Sequence, residues 1–376
     1  MRVSRRSAVD SFIVMDVLAA AQAAEAQGRD IVHMEVGQPS TGAPAAAREA
    51  LSRAMAAGPL GYTPALGIPA LRARIARLYR DWYGVEIAPE RVIVTAGSSA
   101  GFVLSFLTLF DAGQRVGIAD PGYPSYRNIL RALDLEVARI EGTLENRFQP
   151  QPADLEGLDG LLVASPANPT GSMLSRAELS ALATAAEARG IGFISDEIYH
   201  GIDYGTRAVT ALEVTDRVHV INSFSKYFSM TGWRIGWMVV PQDHVRVIER
   251  LAQNLFICAP HASQIAALAA LDAEEELQGH LQTYARNREI LMEELPRLGF
   301  RDIAPPDGAF YVYASLSEWG EDSRAFTARM LEEAGVATTP GLDFDPVRGP
   351  GTIRFSYAAS TERILEGVRR LKDWLG

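Results

Sequence analysis

Between Arg91 and Val240 the chain repeats one unit: a short apolar run rich in β-formers, turn residues, then a stretch rich in alanine and leucine. RVIVTAG, RVGIAD, GLLVASP, IGFISDE and RVHVINSFS read as the strands. Several of them are apolar at consecutive positions, as strands buried on both faces tend to be. RAELSALATAAEARG, between two of these runs, has a helical period and a glycine where a helix would stop. Repeated strand and helix units with short connections admit few topologies. The pattern therefore predicts a three-layer α/β domain with a mostly parallel central sheet and helices on both faces.

At 376 residues the chain exceeds one ordinary core, so a second, smaller lobe is expected. After GWRIGWMVVP the composition turns helical from Asp243 to about Leu298, and Glu274 to Leu295 reads as one long helix bridging the lobes. GAFYVYASL, a helix near Ser323 to Glu333, TIRFSYA and a last helix then suggest a small α+β lobe. We expect residues 1–45 to join that lobe, 46–275 to form the large domain and 276–376 the small one. The N-terminal stretch SRRSAVDSFIVMDVLAAAQAAEA carries the ingredients of an export signal, but Asp10 and Asp16 interrupt its apolar segment. An amphipathic helix burying Phe12, Val14, Met15, Leu18 and Ala19 is the expectation.

Charge and composition remove several function classes. With 36 basic and 46 acidic residues the net charge is -10, and no basic stripe with interleaved aromatics occurs, so nucleic acid is not the expected partner. AGFVLSFLTLF is too short to span a bilayer, and no membrane association is expected. The single cysteine, Cys258, cannot form an internal disulfide, which fits a cytoplasmic protein. Six histidines lack metal-site spacing, so His33, His200 and His261 read as polar-core or surface residues and no metal is expected.

Chemistry-bearing residues gather where the runs end. Gly97, Ser98 and Ser99 follow RVIVT and open an apolar helix, where free amides and the helix dipole favour an anion, although by themselves they are better explained as a plain Gly-Ser cap. SPANPTGS and SDEIYHG place Asn168, Asp196, Glu197 and Tyr199 at the carboxyl edge of the sheet, where ligands bind in open α/β folds. In NSFSKYFSMTGWR a lysine, Lys226, sits among hydroxyls with Arg234 beyond. An arginine and serines suit a phosphate, and a cationic, dry neighbourhood lowers a lysine toward a reactive amine.

In order along the chain, VGQPS, GYTPALGIPALR, DPGYPSY, SPANPTGS, DEIY, SFSKYFSMTGWRIGW and IRFSYA resemble the class I/II aminotransferases, pyridoxal-phosphate enzymes of fold type I. The resemblance covers nearly the whole chain. It implies that Lys226 forms a Schiff base with the cofactor aldehyde and then shuttles protons, while Ser223, Ser225 and Arg234 hold the cofactor phosphate with Gly97, Ser98 and Ser99. Asp196 would meet the pyridine nitrogen, Asn168 and Tyr199 the phenolic oxygen, and Tyr123 the ring face. Arg354 would grip the substrate carboxylate, with Gly37 leaving room for substrate. Tyr62 would reach the phosphate across a homodimer interface with shared active sites.

The implied activity moves an amino group from an amino acid to a 2-oxo acid by a ping-pong route. A carbon-sulfur β-lyase of the same fold would use the same residues. An effector-binding regulator would need a DNA-binding module, for which the 35 residues before VGQPS are too few. Two features depart from the family pattern. The phosphate-cup serines are followed by AGF where many members carry Gln or Glu, and no arginine matches one dedicated to a second carboxylate, with Arg127 left as a candidate.

Overall fold

The computed structural model describes residues 1–376. Its strands are β1 (Val32–His33), β2 (Val92–Thr95), β3 (Arg115–Asp120), β4 (Glu136–Glu141), β5 (Gly160–Ala164) and β6 (Gly192–Asp196). β7 (His219–Ser223), β8 (Gly236–Val239), β9 (Tyr311–Ser315), β10 (Val336–Ala337), β11 (Thr339–Pro340) and β12 (Thr352–Ser356) follow. The helices are α1 (Ile13–Glu25), α2 (Ala45–Ala57), α3 (Pro69–Tyr83), α4 (Gly97–Leu109), α5 (Pro124–Ala132) and α6 (Arg176–Arg189). The last five are α7 (Val245–Leu255), α8 (His261–Ala270), α9 (Glu274–Arg297), α10 (Ser323–Arg329) and α11 (Thr361–Leu375).

Seven strands form the large sheet in the order β2-β8-β7-β6-β5-β3-β4, parallel except where β8 pairs with β2 and β7. Its residues alternate between two cores. Leu161, Val163, Phe193 and Val220 join the main core, whereas Leu162, Ile194 and Ile221 meet Phe102 and Phe106 of α4 and Leu130 of α5. That two-sided burial is why the strands read as continuous apolar runs. Two strands of this sheet escaped the sequence reading. EVARIE of β4 alternates because it is the sheet edge, and β8 is a four-residue run inside GWRIGWMVVP, just before the composition turns helical.

Helix α6 shows how local sequence sets element ends. Ser175 and Glu178 close a capping box, with Ser175 Oγ accepting the Glu178 amide and Glu178 Oε2 accepting the Ser175 amide at 2.7 Å. Gly190 ends the helix at φ +64°, a conformation costly for other residues.

The smaller lobe pairs β11, β12 and β9, and β1 runs parallel to β10, so the N-terminal segment shares a sheet with the C-terminal one. α9 opens at Glu274, two residues before the expected start of the small domain. The expected buried face of α1 needs correction. Met15 is half exposed and Ala19 exposed, and the buried positions are Val14, Ala21 and Ala24, with Val17 packing between them. The helix touches the body along one narrow stripe, against Ile31, Leu331 and Ala337, so only residues three or four apart along that stripe are covered. No helix is long and apolar enough to cross a membrane.

Candidate functional site

The parallel strands end at one edge, and the segments leaving them carry the polar residues. β5 runs into Ser165 to Asn168, β6 ends at Asp196, β7 at Ser223, and β2 leads into α4. Antiparallel β8 begins where its neighbours end, and its Gly236 lies opposite both Thr95 and Ser223. Arg234, two residues earlier, is thereby delivered to the same edge. Its guanidinium lies over Gly97, where an added Cβ would stand 2.5 Å from Nη2.

Lys226 is partly buried, and its Nζ donates to the Gly37 carbonyl at 2.6 Å. Burial, then the positive charges of Arg354 and Arg234, bring its pKa down to about 8, with Asp196 opposing. The ammonium also lies 5.7 Å from the centre of the Tyr199 ring. The chain contains only two lysines, and the other, Lys372, is a half-exposed residue of α11 paired with Glu294 at 2.8 Å. That scarcity of lysine in a chain rich in arginine is a signal that motif reading passed over.

Asp196 is 2 % exposed, and burial lifts its pKa to about 6. Tyr126 donates its hydroxyl to Oδ2, and the Ile198 amide donates to Oδ1 at 3.1 Å, both favouring the carboxylate. Glu197, the next residue, points into the core, where Ser195 Oγ and the Ala211 amide donate to Oε1 at 3.0 and 2.8 Å. His200 is likewise structural: Nε2 donates to the Ser165 carbonyl at 2.9 Å, and Nδ1 accepts from Tyr83 at 2.7 Å.

Arg354, on β12, is 3 % exposed and lies between the rings of Tyr311 and Phe344, 4.3 and 4.6 Å from their centres. Nη1 donates to Asn168 Oδ1 at 2.9 Å, Nη2 to Thr339 Oγ1 at 3.1 Å and to the Glu35 carbonyl, and Nε has no partner. Tyr199 shares a hydrogen bond with Tyr311 at 2.7 Å. Tyr123 packs edge-on to Tyr126, and the charges of Asp196, Arg234 and Arg354 all reach its hydroxyl.

Ser223 and Ser225 are buried and bonded to each other at 2.8 Å. Gly97, Ser98 and Ser99 form the first turn of α4, which no side chain caps. Thus Gly37, Gly97, Tyr123, Asn168, Asp196, Tyr199, Lys226, Arg234 and Arg354 converge, with the four serines beside them. Tyr62 does not join them within one chain, being 84 % exposed near His261, whose Nδ1 bonds the Gly61 carbonyl at 3.0 Å. A Cβ on Gly37 would overlap the Tyr311 hydroxyl, so no side chain fits at that position.

Tyr126, Tyr311, Phe344 and Glu35 are neighbours of the site that sequence reasoning missed. Tyr126 had a signal: it lies three residues after Tyr123 across the start of α5, on the same helical face. Tyr311 needed the strand register, which places Tyr313 opposite Arg354 and leaves Tyr311 on the diagonal.

The family model for aminotransferase class I and II matches residues 29–371. The valine–pyruvate aminotransferase of Mycobacterium tuberculosis is 46 % identical over 383 residues, spanning 100 % of this chain and 98 % of that protein. A solved structure from Silicibacter pomeroyi, described as a candidate aminotransferase, is 62 % identical with a TM-score of 0.95, covering 100 % and 99 % of the two chains. The aspartate aminotransferase of Thermus thermophilus with maleate is 32 % identical with a TM-score of 0.91, covering 98 % and 99 %. With its sheet order, its carboxyl-edge site and its full-length matches in agreement, the chain belongs to the class I and II aminotransferases, enzymes dependent on pyridoxal phosphate.

Proposed function

We propose that Lys226 carries pyridoxal phosphate and afterwards moves the substrate Cα proton, that the donor is a neutral amino acid of the valine kind, and that pyruvate is the acceptor. The observation that carries the reading is the state of Lys226: an amine brought down to about pKa 8, held only by a backbone carbonyl, in a chain with no other buried lysine. Half-neutral near that pH, it has a lone pair for the aldehyde and later for a proton.

The remaining residues fit the cofactor by their donor chemistry. The hydroxyls of Ser223 and Ser225, the uncapped turn at Gly97, Ser98 and Ser99, and the guanidinium of Arg234 make an anion cradle suited to the phosphate. Asp196 is a buried carboxylate with two donors and no bonded cation, suited to a protonated ring nitrogen. Asn168 Oδ1 accepts from Arg354, which leaves Nδ2 as a donor toward the phenolic oxygen, with the Tyr199 hydroxyl as second donor. Tyr123 would cover the ring face. Pyridoxal phosphate, when bound, supplies the aldehyde for amine exchange and the ring that accepts the electron pair left at Cα.

Arg354 fits the substrate α-carboxylate, because its buried Nε lacks an acceptor and its fork suits bidentate contact. Support for a neutral donor comes from the full-length valine–pyruvate relative. Arg127, the candidate for a second carboxylate, is 7 % exposed; its Nη2 donates to the Asp343 carbonyl at 2.7 Å and its Nε has no partner. The aromatic walls of Arg354 also suit an apolar side chain.

We further infer a homodimer, since Tyr62 is a solvent-facing tyrosine in the motif that resembles a phosphate-reaching one, and a cytoplasmic location, since Cys258 has no partner. Residues 1–45 and 276–376 are taken as the small lobe and 46–275 as the large domain. The test is single-turnover reaction of the cofactor-loaded enzyme with valine and with aspartate, then regeneration by pyruvate. Valine is expected to react faster, and faster reaction of aspartate would overturn the donor while leaving Lys226 untouched. A fully active monomer in sedimentation would overturn the dimer.

A further inference from the structure

The two cations of the site share a feature that the cofactor chemistry does not require. Each donates to a backbone carbonyl of one short segment: Lys226 to that of Gly37 at 2.6 Å, and Arg354 to that of Glu35. Thr339 Oγ1 also donates to the Glu35 carbonyl at 2.9 Å. The segment's backbone is bonded on both sides, the Met34 amide to the Ala337 carbonyl at 2.9 Å and the Ser356 amide to the Met34 carbonyl at 2.7 Å, and a side-chain anchor lies on its far side. The Glu35 side chain is fully buried, its Oε1 sits 2.7 Å from His33 Nδ1, and its Oε2 has no partner. The other ring nitrogen, His33 Nε2, faces Glu25 Oε1 of α1 at 3.0 Å.

Carboxylates only accept, so an imidazole between two of them donates from both nitrogens and is an imidazolium. The remaining surroundings of His33 are uncharged or already paired. β10 contributes Val336 and Ala337, while Arg363 and Arg370 of α11 are both bound to Asp30. Arg29 is bound to Glu332.

We propose that His33 is a positioning residue for catalysis: as an imidazolium clamped between Glu25 and Glu35, it holds the 35–37 segment so that its carbonyls orient Arg354 and Lys226. The inference rests on reading Arg354 as the carboxylate anchor. The hydrogen bond from Glu35, with help from Glu25 and against burial, raises the His33 pKa to about 9. The clamp is therefore closed at neutral pH and opens as pH rises through that value. Deprotonation leaves one ring nitrogen facing a carboxylate with no proton between them, and the Glu35 side, being fully buried, has no water to turn to.

The experiment measures binding of 3-methylbutanoate, an unreactive carboxylate, to the holoenzyme by calorimetry from neutral to alkaline pH. Glu25→Gln, His33→Gln and Arg354→Gln are run alongside, with melting temperatures recorded for each. In the unmodified enzyme affinity is expected to fall with a midpoint near 9. In Glu25→Gln the midpoint is expected to move to lower pH, because a negative neighbour of His33 is gone. In His33→Gln binding is expected to weaken roughly fivefold at neutral pH, about one hydrogen bond, with the alkaline step abolished. Glu25 is partly exposed, so that variant reports even where His33→Gln does not fold. A midpoint unmoved in Glu25→Gln, with only the melting temperature lowered, would overturn the positioning role and assign the step to another group. Binding unchanged in Arg354→Gln would instead overturn the reading of Arg354.

Discussion

Tyr126 and Tyr123 stand three residues apart in DPGYPSY, and only the three-dimensional arrangement separates their roles. Tyr126 bonds Asp196, whereas Tyr123 fills the space beside it. The Tyr126 hydroxyl favours the charged form of Asp196 against a burial that raises its pKa to about 6. Removing that donor raises the value further, so that less carboxylate remains at neutral pH. Tyr126→Phe is accordingly expected to weaken pyridoxal phosphate binding several-fold at pH 7, with affinity recovering at higher pH, as seen in cofactor titrations. A loss equal at every pH would point to packing alone. Lys226, Asn168, Asp196 and Arg354 were legible because their motifs are local in sequence. Tyr311 and Phe344 were not, because they meet Arg354 only through the pairing of β9 with β12 and the loop after β11.

At the scale of elements, local chemistry and tertiary context divide the work. α6 was readable to the residue at its glycine stop because cap and period are written in adjacent positions. Ser175→Ala is expected to lower stability by about 1 kcal/mol in denaturant unfolding, by removing the cap hydroxyl. Gly190→Ala is expected to cost about 1 kcal/mol through backbone strain alone, since open space surrounds that position. β8 was hidden because an antiparallel strand inside a parallel sheet has no signature of its own composition, yet it is the strand that brings Arg234 beside Gly97. Met15 and Ala19 of α1 are apolar yet face outward because the helix meets the body along one narrow stripe, a width its own residues do not encode.

Over the whole molecule, the lobes meet through charged groups around the loop that carries Phe344. Asp345 is bound by Arg139 at 2.9 Å and by Arg348 at 2.8 Å, and Arg348 also donates to the carbonyls of Asp120 and Gly142 at 2.7 Å. These contacts join the ends of β3 and β4 to the small lobe. The same scale sets the pH response. His33 has a folded-state pKa raised from 6.5 to about 9, so its stabilising contribution is complete below 6.5 and is lost as pH climbs through 9. The melting temperature is expected to decline across that window and to decline less in His33→Gln.

The assignment of Lys226 as the cofactor's attachment point is tested most directly by chemistry on the intact holoenzyme. Borohydride would fix any lysine bound to pyridoxal phosphate, and proteolysis with mass spectrometry would then locate it. With only Lys226 and Lys372 in the chain, the answer is a choice between two residues. Label on Lys226 alone, absent from Lys226→Ala, is the expected result. Label on Lys372, or none on a protein that still transaminates, would contradict it.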